Sequence, residues 1–411
     1  MLFGATRLAD RTLRRNNPSP PERDPERLGH PTAERPKGCL LWLHVSDPAE
    51  SGCISALTAE LSSLRDEPVF GLVTSSENAA PFTSNDPRLI HQLVPGDTRG
   101  SVQRFLDHWK PDVGVIAGPA DRPALLSEAH ATDIPLFLAA NTRAAAISGG
   151  ALSAQSVAIP DVFSGVLVAS RADQEELARL GLPATRSVVT GPLCDTALPP
   201  PCDDDDFSRL SQTLGGRPVW LAVEVTAAEI PILETAQRRT IRAAHRLLLI
   251  IVPRDPSEGL AIAGSLETHG WRTALRSAGG QPDENVQVYI VDTDDDLGLW
   301  YRASPITYLG GSFDPDLEIS DPYGPATLGS AVLHGPEVSG AVPRIQRLQS
   351  ANASKLIAVP DDLGDAVFQL LSPDQAALLA HAAWATTSEG APAVEALVSM
   401  ISRTLDGEAP D

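Results

Sequence analysis

The sequence has few of the features that mark secreted, metal-binding or membrane-spanning proteins. Its 411 residues include only four cysteines, Cys39, Cys53, Cys194 and Cys202, and their spacing matches no metal-ligand motif. Scattered cysteines of this kind are typical of reduced, structural thiols in a cytosolic protein. No stretch reaches the roughly 18 consecutive apolar residues of a membrane-spanning helix, and none has the form of a signal-peptide core.

Positive charge is also scarce, and its distribution is uneven. The net charge of −21 argues against a nucleic-acid-binding protein, because nothing but local patches would balance phosphate repulsion. Residues 1–38 hold eight Lys and Arg against five Asp and Glu, a charge of +3, which leaves −24 for the rest. This segment is predicted to be either a disordered, Arg-rich leader or a weak peripheral anchor on an anionic membrane.

From Cys39 onward, short apolar strands alternate with helical patterns. Strands are predicted at 40–44, 69–74, 89–94, 112–117, 135–140, 166–170 and 187–190, and then at 219–223, 247–252, 286–291, 306–309 and 331–333. Such alternation predicts parallel βαβ units. The fold class expected is therefore α/β, with two doubly wound domains facing a cleft and ligands at the carboxyl ends of the strands.

A proline- and aspartate-rich run, LPPPCDDDD at 198–206, cannot continue a strand and divides the chain. It predicts an N-terminal domain at 39–198, a linker at 199–212 and a C-terminal domain at 213–411 that ends in closing amphipathic helices. The four aspartates Asp203–Asp206 are compatible with a divalent ion, but a solvated charge run is the better interpretation, and we expect no metal site.

Several stretches, in this order, carry a family resemblance. They are Leu41-Trp-Leu-His44 with Glu50, the runs 102–112, 134–143 and 249–254, and the long run 288–336. Over residues 40–400 the chain resembles the Kdo transferases, which are 3-deoxy-D-manno-octulosonic-acid transferases of the GT-B type with two Rossmann-like domains. The resemblance implies an inverting, metal-independent transfer of Kdo from a CMP-sugar donor to a lipid A-type acceptor, with no cofactor.

In its first half, the resemblance implies three functional residues. Glu50 lies six residues after His44, where the family has the general base that deprotonates the acceptor hydroxyl. An acid in the first turn of a helix is the alternative interpretation of Glu50. Asn141 and Arg143 match the family's Asn-x-Arg and are implied to contact an acceptor phosphate or carboxylate. The family's acidic Trp-Pro motif is replaced by Gly118–Ala124, in which only Pro123 matches.

In its second half, the resemblance implies the donor-binding residues Glu229, Arg254, Asp292, Thr293, Gly310, Gly311, Ser312 and Asp321. Arg254 is a credible phosphate partner through its forked geometry, but pairing with Asp255 at a strand end is an equal alternative. Asp294–Asp296 follow Thr293 and would repel a phosphate there. The family's ligand-binding Glu falls on Gly324, which should weaken donor binding.

Two functional hypotheses therefore stand at the level of the sequence. The first is an active CMP-Kdo-dependent transferase in the cytoplasm, peripheral on the cytoplasmic face of the inner membrane. The second is a catalytically inactive paralogue that keeps the fold as a binding or scaffold protein. The retained Glu50, Asn141, Arg143 and Arg254 favour the first, and the departures at 118–124, 294–296 and Gly324 favour the second.

Overall fold

The chain folds into two compact α/β units. The computed structural model describes residues 24–46, 51–75, 86–118, 120–140, 162–179, 181–293 and 297–407. The first unit comprises Met1–Thr196 and Glu389–Asp411, and the second comprises Ala197–Ser388. Among the helices of the described residues, none is both long and apolar enough to cross a membrane.

A parallel sheet forms the centre of the first unit. Its strands are β1 Cys39–Val45, β2 Val69–Ser75, β3 Leu89–Leu93, β4 Val113–Ala117, β5 Leu136–Ala140, β6 Gly165–Val168 and β7 Ser187–Val189. They lie in the order β3-β2-β1-β4-β5-β6-β7. Every residue of β1 is buried, as expected for a continuous apolar strand covered on both faces.

Helices cover both faces of this first sheet. They are α1 Asp24–Arg27, α2 Cys53–Leu64, α3 Arg99–Trp109, α4 Pro123–Ala131 and α5 Arg171–Arg179, with a 3₁₀ helix at Ala184–Arg186. Alternate residues of β1 enter two cores, with Trp42 packed against Phe105 in one core and Leu41 and Ile54 both in the other.

The second unit repeats this architecture. Its strands are β8 Val219–Val225, β9 Leu248–Pro253, β10 Thr273–Leu275, β11 Val288–Ile290, β12 Ile306–Leu309, β13 Ala331–His334 and β14 Ser354–Leu356. They pair in parallel in the order β10-β11-β9-β8-β12-β13-β14. The strand order reverses between β8 and β12, and we call the carboxyl ends of these two strands the switch point. Ligands of open α/β sheets bind at such a point. The prediction of two doubly wound parallel α/β domains is confirmed.

The helices of the second unit also lie on both faces of their sheet. They are α6 Asp204–Leu214, α7 Ile230–Thr240, α8 Gly259–Thr268, α9 Leu297–Ala303, α10 Tyr323–Thr327, α11 Val342–Ser350, α12 Leu363–Leu370 and α13 Pro373–Ser388. Short 3₁₀ helices occupy Ala227–Glu229, Pro256–Glu258 and Pro360–Asp362. Trp220 and Leu221 enter opposite cores, which shows the strand alternation directly.

The structure differs from the predicted boundaries at both ends of the second unit. The segment 199–212, predicted as a linker, contains most of α6, because the Asp203 side chain accepts hydrogen bonds from the backbone N–H groups of Asp205 and Asp206 and so caps a helix. The last helix, α14 Ala391–Leu405, belongs to the first unit. Its apolar face, including Leu397, packs in the same core as Ile54.

Candidate functional site

The predicted donor residues follow adjacent strands of the second sheet. Glu229 comes after β8, Arg254 after β9, Asp292 after β11 and Gly310 after β12, and these strands are neighbours in the order β11-β9-β8-β12. Parallel strands place their carboxyl ends at one edge of a sheet. The structure therefore brings these residues to the same edge, on both sides of the switch point.

Glu229 ties the two strand ends of the switch point together. It is 6% exposed. One of its oxygens accepts the Thr226 backbone N–H at 3.0 Å, and the other accepts the Tyr308 hydroxyl at 2.9 Å. The Gly311 backbone N–H lies 3.0 Å from both oxygens. Burial, and then the charge of Glu229, raise the pKa of Tyr308, so the phenol keeps the proton it donates. Both carboxylate oxygens are thus occupied by groups of the protein.

The Gly310-Gly311-Ser312 turn allows the two strand ends to approach closely. A Cβ at Gly310 would lie 2.6 Å from the backbone oxygen of Glu224, and Gly311 has a φ of +74°. Ser312 is fully buried, and its hydroxyl donates to the Leu309 carbonyl at 2.6 Å. The turn therefore shapes the edge through its backbone, while the Ser312 side chain is used internally.

Arg254 lies beside this turn. Its Nη2 donates to the Glu318 carbonyl at 2.6 Å, and its Nε lies 3.9 Å from an oxygen of Glu224. The Nε atom is buried and has no hydrogen-bond partner in the part of the chain that the structure describes. Asp255, the alternative partner considered from the sequence, instead accepts the backbone N–H and hydroxyl of Ser257. The guanidinium is thus held at the switch point with the side chain 30% exposed.

Glu224 is a candidate that the sequence analysis missed. It interrupts β8 at a bulge between Val223 and Val225, and its φ is +56°, a region where residues other than glycine cost on the order of 1–3 kcal/mol. Burial raises the pKa of its carboxyl, and the charge of Arg254 offsets part of that rise. An acidic residue near the carboxyl end of an otherwise apolar strand was the signal available in the sequence.

Asp292 and Thr293 lie at the end of β11. One oxygen of Asp292 accepts the Ser277 backbone N–H at 2.9 Å, and the other accepts the Ser277 hydroxyl at 2.5 Å. The Thr293 hydroxyl is buried and has no hydrogen-bond partner among the described residues. Asp294–Asp296, which were predicted to compete for a phosphate site, lie outside the described residues.

Asp321 lies in the loop that leads into α10, and Gly324 lies in the first turn of that helix. One oxygen of Asp321 accepts the Tyr323 backbone N–H at 3.1 Å, and the other lies 2.5 Å from the guanidinium of Arg344. A Cβ at Gly324 would lie 3.1 Å from the ring of Tyr301, so the phenol fills the space beside this glycine. Burial, followed by the charges of Asp321 and Glu224, raises the pKa of Tyr301 and keeps it a phenol.

In the first unit, Glu50, Asn141 and Arg143 lie outside the described residues. His44, at the end of β1, is described and is 3% exposed. Its Nδ1 lies 3.2 Å from both the carbonyl and the hydroxyl oxygen of Thr74. A carbonyl can only accept, so the neutral ring carries its proton on Nδ1. Burial, and then the charge of Arg122, lower the pKa of His44 to about 4.

This buried histidine predicts a pH dependence of stability. Below its ordinary pKa of 6.5, His44 takes up a proton in the unfolded chain but stays neutral in the folded one. The contribution of neutral His44 to the free energy of unfolding is therefore complete above pH 6.5. It is lost as the pH falls toward 4, and the loss amounts to at most about 3 kcal/mol. Urea unfolding from pH 7 to 4 should show a shallower loss for His44→Asn than for the wild type. The exposed control His30→Asn should keep the wild-type slope, and an unchanged slope in His44→Asn would contradict this account.

No group of three or more His, Cys, Asp or Glu side chains in the described part of the chain is arranged to hold a metal ion. The acidic run at 203–206 caps and begins α6, as its first residue accepts two backbone N–H groups of that helix. Asp204 pairs with Arg302 at 2.7 Å. These contacts account for two members of the run within the protein.

Comparison with known proteins gives one consistent set of relatives. The family described as 3-deoxy-D-manno-octulosonic-acid transferase (kdotransferase) matches residues 22–195. The "Probable 3-deoxy-D-manno-octulosonic acid transferase, mitochondrial" of Arabidopsis thaliana is 28% identical and covers 85% of this chain and 80% of the relative. The 3-deoxy-D-manno-octulosonic acid transferase of Haemophilus influenzae is 23% identical over 92% of this chain and 90% of the relative. The sequence similarity therefore extends over both units.

Solved structures are also similar to the chain. The C-terminal CMP-Kdo binding domain of WaaA from Acinetobacter baumannii is 22% identical, with a TM-score of 0.42, over 45% of this chain and 98% of that domain. The UDP-GlcNAc 2-epimerase of Neisseria meningitidis is 11% identical, with a TM-score of 0.37, over 88% of this chain and 99% of that chain.

Proposed function

Because the chain is a divergent member of the Kdo transferase family, we propose that it transfers Kdo, or a related 2-keto sugar acid, from a CMP donor to a lipid A precursor in lipopolysaccharide biosynthesis. The observation that carries the proposal is the placement of Arg254 beside the Gly310-Gly311 turn at the switch point. The similarity to named Kdo transferases through both units supports the same assignment and disfavours a scaffold role.

The donor is proposed to bind at the carboxyl edge of the second sheet. Arg254 would pair with the phosphate or the sugar carboxylate, since a guanidinium matches either group with two parallel hydrogen bonds. The backbone at Gly310 and Gly311 would allow the donor to approach closely. Glu229 and Ser312 would contribute indirectly, by holding this turn in place. The edge of the sheet on either side would be lined by Asp292, Thr293 and Asp321.

The reaction is proposed to be a direct, inverting displacement with Glu50 as general base. The Glu50 carboxylate takes the proton of the acceptor hydroxyl, and the hydroxyl oxygen forms a bond to the anomeric carbon of the sugar. The bond from that carbon to the CMP phosphate oxygen breaks, and CMP leaves with the electron pair. We propose that no metal or other cofactor takes part. Asn141 and Arg143 would hold a phosphate or carboxylate of the acceptor.

The acceptor and location complete the proposal. A lipid A-type precursor is anionic and membrane-bound, so the enzyme must work at a membrane surface. The +3 charge of residues 1–38 favours a peripheral contact with anionic lipid on the cytoplasmic face of the inner membrane.

Calorimetric titration of the full chain tests the donor assignment. We expect CMP-Kdo and CMP to bind, and UDP-GlcNAc to give no heat beyond dilution. The cytosine and sugar acid would account for this preference, since a site built for specific polar groups rejects ligands that leave those groups unpaired. Absence of CMP-Kdo binding at about 1 mM, which corresponds to a binding free energy of roughly −4 kcal/mol, would refute the proposal.

A further inference from the structure

Glu224 is a half-buried carboxylate whose side chain forms no hydrogen bond with the residues that the structure describes. Its side chain is 33% exposed, and its nearest charged partner is Arg254 Nε at 3.9 Å, beyond hydrogen-bond distance. That Nε atom is itself buried without a partner. Polar groups shielded from water normally find partners, because an unsatisfied one destabilises the fold. The buried Arg254 Nε therefore lacks a partner among the described residues, and the partly exposed Glu224 carboxylate beside it is open to a ligand.

The backbone at Glu224 is also strained, and packing holds it in place. Its φ of +56° is uncommon for a glutamate. A Cβ at Gly310 would clash with the Glu224 carbonyl, so the glycine at this position leaves room for the strained conformation. Strain of this kind persists where the surroundings determine it, and such residues cluster at ligand sites. A glycine at position 224 would adopt the same conformation freely.

We propose that Glu224 is a specificity-determining residue that accepts a hydrogen bond from a hydroxyl group of the bound nucleotide-sugar, beside the anionic group held by Arg254. This assignment rests on the proposed function. A carboxylate accepts strong hydrogen bonds from hydroxyls but repels phosphate, whereas a guanidinium does the reverse. Glu224 and Arg254 side by side thus suit a ligand that carries an anion next to a hydroxyl, which describes both the ribose phosphate and the sugar acid of the donor.

The test compares Glu224→Gly, Glu224→Gln and the control Asn352→Gly. Asn352 also has a positive φ, +52°, but it is an exposed residue just after α11. Each glycine variant relieves a left-handed conformation, so neither should lower the melting temperature. We expect Glu224→Gly to weaken CMP-Kdo binding at least about tenfold, the size of one lost charged hydrogen bond, and Asn352→Gly to leave binding unchanged. Glu224→Gln keeps the side-chain size and should lose less.

The ligands of the titration separate the possible results. Equal weakening of CMP and CMP-Kdo binding in Glu224→Gly would place the hydroxyl on the ribose, and weakening of CMP-Kdo alone would place it on the sugar. Unchanged CMP-Kdo binding in a folded Glu224→Gly protein would overturn the assignment alone. Wild-type protein that fails to bind CMP-Kdo would overturn the proposed function and this assignment with it.

Discussion

Arg254→Ala is expected to weaken CMP-Kdo binding by roughly 100-fold. Truncating one partner of a desolvated, hydrogen-bonded charge pair usually costs about 2–5 kcal/mol. The guanidinium is held at the switch point by the Glu318 carbonyl and packs beside Gly311, so its orientation is fixed before the donor arrives. Calorimetric titration with CMP-Kdo measures the effect directly.

Two further variants test whether the effect depends on the guanidinium geometry and the position of Arg254. Arg254→Lys keeps the charge but loses the fork, and it should recover only part of the affinity. Arg239→Ala removes an exposed arginine of the same unit that pairs with Asp365, and it should bind CMP-Kdo as the wild type does. Binding by Arg254→Ala within about twofold of the wild type would show that Arg254 is not part of the donor site.

Glu50→Gln is expected to abolish transfer while leaving donor binding intact. Loss of a general base typically lowers the rate by about 10²–10⁴-fold, because an amide cannot take the acceptor proton. The proposed donor residues all belong to the second unit, whereas Glu50 belongs to the first. The rate constant of transfer and the calorimetric affinity for CMP-Kdo should therefore separate in this variant.

The matched control is Glu175→Gln, which changes an exposed glutamate of α5 in the same unit. Its transfer rate should equal that of the wild type. A Glu50→Gln protein that keeps more than about a tenth of the wild-type rate would exclude Glu50 as the base.

Most of the fold could be predicted because its strands are apolar runs buried on both faces. Leu248–Pro253 is buried at every position, and its sequence identifies it at once. The two strands that were missed, Thr273–Leu275 and Ser354–Leu356, lie at the edges of the second sheet. Each has three residues and none is fully buried, so no apolar run marks them. The return of the last helix to the first unit depends on packing between distant segments, which periodicity does not reveal.

The candidate site was only partly predictable for a related reason. The residues after β8, β9, β11 and β12 could be placed at one sheet edge from the strand pattern alone. The contacts of these residues could not be predicted from the sequence. Arg254 turns toward Glu224 and Glu318 rather than Asp255. Both carboxylate oxygens of Glu229 accept hydrogen bonds from groups of its own unit. Glu224 is distinguished by a backbone bulge and a positive φ, and neither feature can be predicted from the residue type.

A transfer assay on the full chain tests whether the protein is a Kdo transferase. The purified full chain is incubated with CMP-Kdo and a lipid A precursor, and the lipid is analysed by mass spectrometry while CMP is quantified. The account predicts CMP release that requires the acceptor, together with a lipid product heavier by one or more Kdo residues, and loss of both in Glu50→Gln. A wild-type protein that binds CMP-Kdo but forms neither product under these conditions would contradict the assignment as a transferase.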